Sequence, residues 1–312
     1  MADEDAVREA FERQARACAA LGSPFTARLC RMAAARLGPS DPVGRTILEW
    51  PGDASGGSDA LPLRFTGALH ALVLSGRDAA LQAVNPPQDV SDDDLWKAIT
   101  AAISRHAPFI LDRLTSAPQT NEIRRSAVLL PGFLTIAARF GLPLDLLEIG
   151  ASAGLNLQWD RYHYRLGGSE WGDPASAVHL VPDWQGPNPP LADVRVRHRL
   201  GCDLNPLDPT SPDDRLRLMS YVWADQRDRM ERLTAALAIA APTPPTVERA
   251  DALSWLPRVL ARPAEGAVRV IYHSIAWQYL PPDDQAEGEA IIAEAGSRAT
   301  PEAPLARLAM EA

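Results

Sequence analysis

Leu142-Pro143-Leu144-Asp145-Leu146-Leu147-Glu148-Ile149-Gly150-Ala151-Ser152-Ala153-Gly154-Leu155-Asn156-Leu157 is the stretch on which the rest of the chain is arranged. Leu144, Leu146, Leu147 and Ile149 form an apolar run that carries a single acid, Glu148. Five small residues, Gly150 to Gly154, interrupt it before the hydrophobic pattern resumes at Leu155. The order predicts a strand, a tight turn and a helix. Glycines tolerate φ > 0 and let a backbone come close to a ligand, and a helix start points free N–H groups back at the turn. A nucleotide, a nucleoside or a catalytic turn is therefore expected here. The dinucleotide fingerprint Gly-x-Gly-x-x-Gly is not present.

Upstream, residues 1–140 read as a helical domain. Val7, Phe11, Ala15 and Cys18 fall at helical spacing, and Gly22-Ser23-Pro24 reads as a helix end followed by an N-cap with proline in the first turn. Phe65, Leu69, Leu72 and Val73 make a further apolar stripe. Ser91 with Asp94 resembles a capping box ahead of Trp96, Ile99, Ile103 and Ile110, and Pro108 kinks or splits that helix. Pro118-Gln119-Thr120-Asn121-Glu122 begins the helix that leads into the strand before Gly150. Its polar side chains cap the helix, or Asn121 and Glu122 close over a ligand.

Downstream, residues 141–312 read as strands alternating with helices, the pattern of a parallel sheet. Val194–Leu200, Thr246–Asp251, Val268–Ile275 and Pro304–Met310 are the expected strands. Leu216, Met219, Trp223, Gln226, Met230, Leu233 and Leu237 mark one long helix. Between Trp159 and Asp193 lies an aromatic, proline-rich insertion that includes Tyr162, too broken for a core element and suited to a lid or a substrate-facing loop.

Composition limits the function classes. The chain has 312 residues, 46% hydrophobic and 23% charged, enough for a large buried core, and a net charge of −9. That charge excludes a nonspecific nucleic-acid or anionic-membrane surface. Lys97 is the only lysine, a matter of composition rather than function. Cys18, Cys30 and Cys202 contain no Cys-x-x-Cys, the histidines lack metal-ligand spacing, and no metal is expected. The acidic N-terminus is no signal peptide and the longest apolar run, Ala127 to Ala138, is broken by Pro131-Gly132. A cytoplasmic protein is expected. His70 and His106 read as packed or solvated helix residues.

In open α/β sheets the ligand lies beyond the carboxyl ends of the strands, where strand order reverses. Those ends read Glu148 to Gly154, Asp203, Asp251 and His273 to Tyr279, so acids and glycines recur where a nucleoside would lie. A carboxylate after the second strand can accept both ribose hydroxyls, and one after the third can take an adenine amine.

Leu-Leu-Glu-Ile-Gly-Ala-Ser-Ala-Gly at 146–154, Gly-Cys-Asp-Leu-Asn-Pro at 201–206, Glu-Arg-Ala-Asp-Ala at 248–252 and Val-Ile-Tyr-His-Ser-Ile-Ala-Trp at 270–277 resemble Rossmann-like S-adenosylmethionine-dependent methyltransferases. Together with Pro-Gln-Thr-Asn-Glu-Ile-Arg-Arg-Ser-Ala at 118–127, they also resemble an uncharacterised bacterial family known only as a domain of unknown function, over nearly the whole chain. The first resemblance implies a mostly parallel sheet flanked by helices and S-adenosylmethionine as cofactor, with an unidentified small molecule as methyl acceptor. It implies Glu148, Gly150, Ser152 and Gly154 around the methionine end, Asp203 on the ribose and Asp251 near the adenine. His273, Ser274 and Tyr279 then face the transferred methyl, with Trp277 beside them, and His273 is the expected base for a hydroxyl or amine acceptor.

Two departures bear on this. Ser152 replaces a usual glycine, and no reversed strand pair follows Met310, which implies a chain cut short or a reduced fold. Gly150-x-Ser152-x-Gly154 also fits the nucleophile elbow of α/β-hydrolases, with Ser152 as nucleophile and Asp203 or Asp251 and His273 following in order. Against that stand the helical residues before the elbow and Glu148, which would oppose an oxyanion. A catalytically silent module that binds a nucleoside or a protein partner is the remaining alternative. The pattern selects neither acceptor nor number of subunits.

Overall fold

The computed structural model describes residues 4–311 and divides them into two compact units. The first runs to Thr120 and takes in Leu216–Glu231; the second comprises Asn121–Arg215 and the residues from Arg232 on.

The first unit is helical. Helices α1 (Glu4–Ala20), α2 (Pro24–Arg36), α3 (Pro42–Leu48), α4 (Leu61–Leu74), α5 (Ala79–Gln82), α6 (Asp92–Arg105) and α7 (Ala107–Leu114) surround a core that includes Phe11, Ile47, Phe65, Leu72 and Ile99. The start signals act as expected: the Ser23 hydroxyl accepts the Thr26 N–H and the Ser91 hydroxyl accepts the Asp94 N–H. Pro108 falls in the first turn of α7, so the predicted helix is divided at His106. The two histidines are packed: His70 is buried with Nδ1 donating to the Ser220 carbonyl, and His106 meets Asp78 at 3.1 Å.

The second unit begins with α8 (Arg125–Phe140), which ends on Gly141 in the left-handed conformation. Strand β1 (Leu144–Ile149) follows, then a 3₁₀ helix (Leu155–Arg161) and a small sheet of β2 (His163–Leu166), β3 (Ser169–Trp171) and β4 (His179–Leu180). The chain continues through β5 (Val196–Asp203), α9 (Pro212–Ser220), α10 (Arg227–Ala240), β6 (Thr246–Arg249), α11 (Ala252–Val259), β7 (Val268–Ser274), a 3₁₀ turn (Trp277–Tyr279), α12 (Pro282–Ser297) and β8 (Leu305–Met310).

The main sheet has the order β6-β5-β1-β7-β8, and every pairing in it is parallel. The order reverses between β1 and β7, where connections leave in opposite directions, the position at whose carboxyl ends open α/β sheets bind their ligands. Register puts Glu148 opposite Tyr272 and Ile149 opposite His273. Alternation then sends Leu147, Ile149 and Ile271 to one face, packed with Trp255, Leu256 and Ile292 of α11 and α12. Glu148 and Tyr272 lie on the other face, where the Tyr272 ring meets Phe133 of α8 edge-on at 5.1 Å.

Three expectations are corrected. The long helix over 216–237 is two helices, because the intervening Asp225 turns inward and accepts the N–H of Phe25 and the hydroxyl of Ser23. The predicted helix after Gly154 is a 3₁₀ helix with Gln158 outside helical φ/ψ. Third, the aromatic start of the insertion is core. Trp159, Tyr162 and Tyr164 are fully buried, and Trp159 stacks on Phe133 with centroids 4.2 Å apart. Each tyrosine hydroxyl there donates to a main-chain carbonyl, so those two rings are buried without stranding their hydroxyls. No helix among the described residues is long and apolar enough to cross a membrane.

Candidate functional site

The turn after β1 is held by the neighbouring strand before any side chain contributes. The N–H groups of Gly150 and Ala151 both donate to the Cys202 carbonyl, at 2.9 and 3.0 Å. Gly150, Ser152 and Gly154 all have positive φ, +70°, +56° and +70°. The space above the two glycines is taken by protein. A Cβ on Gly150 would lie 2.6 Å from the Ala276 Cβ, and one on Gly154 would lie 2.6 Å from Pro245. The glycines thus answer close contacts within the chain as well as their left-handed conformation.

Ser152 is the exception in the turn. Its N–H donates to Asp203 Oδ2 at 2.8 Å and its carbonyl accepts the Leu207 N–H at 3.2 Å, but its buried hydroxyl has no hydrogen-bond partner among the described residues. Asp203, at the end of β5, also accepts the Asn205 N–H on Oδ1 at 2.8 Å. The 3₁₀ helix does not present a bare N-terminus, because Asn121 Oδ1 accepts the Leu155 N–H at 3.0 Å.

The polar start of α8 lies along this turn. The Glu122 carbonyl accepts from Asn156 Nδ2, the Ser126 hydroxyl donates to Asn156 Oδ1, and Arg125 reaches the Ser274 carbonyl at 2.7 Å. Glu148 is buried beneath them and receives the Tyr272 hydroxyl at 3.3 Å. Burial raises its carboxyl well above the usual range and nearby Asp203 adds to this, against the Tyr272 hydrogen bond and the charge of Arg125. Asn121, Glu122, Glu148, Ser152 and Asp203 are therefore brought together around one turn.

The remaining expected residues lie at the ends of the neighbouring elements. Asp251 is exposed at the N-cap of α11, where Oδ1 accepts the N–H groups of Leu253 and Ser254. Tyr162 is fully buried, its hydroxyl on the Leu155 carbonyl at 2.6 Å, so it braces the turn from behind. Ser274 is buried at the end of β7, while Tyr279 is 70% exposed in the 3₁₀ turn beyond it.

His273 points to the α12 face and is enclosed. Nδ1 lies 2.6 Å from Glu311, Nε2 lies 3.2 Å from an Arg307 nitrogen, and the ring stacks on Trp277 at 5.0 Å. An arginine cannot accept, so Nε2 is the acceptor there and the proton sits on Nδ1. Burial lowers the pKa of this imidazole, against the raising effect of Glu311, which favours the same neutral tautomer. Glu311 also accepts the N–H groups of Ala276 and Trp277, both at 3.2 Å, and so fixes the loop that abuts Gly150.

No serine relay is assembled among the described residues: the Ser152 hydroxyl has no partner among them, and both nitrogens of His273 are engaged elsewhere. Sequence reasoning passed over Arg125, Ser126, Asn156, Tyr272 and Glu311. The first two lie within the 118–127 motif, Asn156 within the 142–157 stretch and Tyr272 within the β7 motif; the Glu311 contact had no local signal.

The family described as "Uncharacterized protein conserved in bacteria (DUF2332)" matches residues 8–312. No curated protein and no solved structure matches.

Proposed function

Since the chain belongs to this uncharacterised bacterial family, we propose its function from the site itself: it binds S-adenosylmethionine at the carboxyl ends of the sheet and methylates an unidentified small molecule. The observation that carries the reading is the run of acids at the ends of β1, β5 and β6, Glu148, Asp203 and Asp251, on a parallel sheet whose order reverses beside the first of them.

The residues fit such a ligand in kind. Glu148 is a buried carboxyl with no ion pair to a basic side chain among the described residues, which an ammonium group beside it would favour in the ionised form, and the Ser152 hydroxyl, unpartnered among the described residues, lies on the residue that bonds Asp203. The cofactor would supply an electrophilic methyl; the chain supplies position. Asp203 accepts hydroxyl protons of the ribose, and the exposed carboxylate of Asp251 faces the base. Arg125 and Asn121 tie the α8 start to the Ser274 carbonyl and to the Leu155 N–H just after the turn.

Methyl transfer requires chiefly in-line orientation. In this proposal His273 serves as an orienting residue: its Glu311 and Arg307 contacts set the loop that carries Tyr279, and Tyr279 is the acceptor-facing side chain. The enclosed His273 also favours the silent binding module as a second reading, since a bound ligand would then find no buried base. Calorimetry with S-adenosylmethionine and S-adenosylhomocysteine tests the first reading, with Asp203→Asn expected to weaken binding at least tenfold, about 1.4 kcal/mol. Absence of binding, or binding unchanged in the variant, refutes it. Binding without turnover across a panel of thiols, amines and carboxylates selects the silent module.

A further inference from the structure

Ser152 carries two separate costs at one position. Its φ of +56° lies in the region where an L side chain crowds the following carbonyl, and its hydroxyl is buried without a partner among the described residues. The protein's own needs explain neither. The two hydrogen bonds that hold the residue, N–H to Asp203 and carbonyl from Leu207, are main-chain bonds that a glycine would make equally well. A glycine would also relieve the conformation and remove the stranded hydroxyl.

We propose that the Ser152 hydroxyl is a ligand contact held in readiness: its partner is a ribose hydroxyl of the bound nucleoside, adjacent to the one taken by Asp203. The inference rests on the nucleoside reading above and adds to it a residue that selects an intact diol. The 2.8 Å bond from the Ser152 N–H to Asp203 keeps the two residues side by side, so that both side chains can address one ligand. Their capacities are complementary. A carboxylate only accepts, whereas a serine hydroxyl donates and accepts, and a vicinal diol offers both.

The experiment measures binding and stability on the same proteins. S-adenosylhomocysteine and its 2′-deoxy and 3′-deoxy counterparts are titrated calorimetrically into wild type, Ser152→Ala and Ser152→Gly, and each ligand-free protein is melted. Both variants should bind S-adenosylhomocysteine about tenfold more weakly, close to 1.4 kcal/mol. One of the deoxy ligands should show no difference between wild type and variants. Ligand-free Ser152→Gly should melt above wild type. Unchanged affinity in both variants overturns the proposal, as does a loss confined to Ser152→Gly, which would assign the effect to backbone geometry. A lower melting temperature for Ser152→Gly overturns the claim of stored strain. If wild type binds none of the three ligands, the nucleoside reading fails and this inference with it; if wild type binds and the variants match it, only this inference fails.

Discussion

Replacing Gly150 by alanine separates two reasons for a glycine in the turn, contact with a ligand and contact with the protein. The native φ is +70°, and the added Cβ would come within 2.6 Å of the Ala276 Cβ, well inside van der Waals contact. The left-handed conformation costs an L residue about 1–2 kcal/mol. Forcing a methyl into an occupied space adds about 1–3 kcal/mol. Gly150→Ala is thus expected to lose about 2–5 kcal/mol, a large share of the stability of a domain this size. The next atom, the Ala276 Cα, lies at 3.9 Å, an ordinary contact. Ala276→Gly in the same chain should therefore return the steric part and leave the conformational part, a coupling of about 1–3 kcal/mol between the two sites. Urea unfolding of wild type, both single variants and the double variant, followed by far-ultraviolet circular dichroism, closes the cycle. A loss below about 1 kcal/mol in Gly150→Ala, or additive effects in the double variant, would refute the reasoning. If in addition ligand binding were abolished, the glycine would be kept for the ligand.

Further predictions follow from the titrating groups. Burial holds the Glu148 carboxyl well above its ordinary value, so the folded state binds its proton more tightly than the unfolded state. That stabilisation is complete below the unfolded value and is lost as pH rises through the folded one. Glu148→Gln should be the more stable protein at pH 8 by urea midpoint, with the advantage shrinking at pH 5, and a larger advantage at pH 5 would contradict the assignment. Asp78 behaves in the opposite way. Burial opposes its ionisation, yet the Leu81 N–H, Arg105 at 2.6 Å and His106 at 3.1 Å together hold its carboxyl below the ordinary value. Its contribution is present above the unfolded value and lost as pH falls through the folded one. Asp78→Asn should cost about 1–3 kcal/mol at neutral pH and flatten the acid limb of the stability curve; an unchanged acid limb counts against it.

Much of the architecture was legible because local chemistry and tertiary packing agree. β1, β7 and β8 are apolar runs bounded by breakers, and the ends of α2 and α6 carry the side chains that satisfy free N–H groups, so short-range pattern was sufficient. The reading failed where a distant group decided. Asp225, some two hundred positions from Ser23, interrupts a stripe that is helical by period alone. Phe133 draws Trp159 inward, and main-chain carbonyls satisfy Tyr162 and Tyr164, so aromatic residues in a broken, polar segment become core.

By itself the sequence determined the alternation of strands and helices, the turn at Gly150 to Gly154 and the acids that end β1 and β5, because these depend on periodicity and on φ tolerance over a few residues. Tertiary structure alone decided what each functional candidate touches. Strand pairing put Glu148 against Tyr272 and sent His273 to the opposite face, where Glu311 and Arg307 enclose it. The same pairing brought β5 beside β1, so that Asp203 meets the Ser152 N–H across fifty-one positions of chain. A period-two strand fixes which residues share a face, but the partner on that face is set by register with another strand, and no local pattern encodes it.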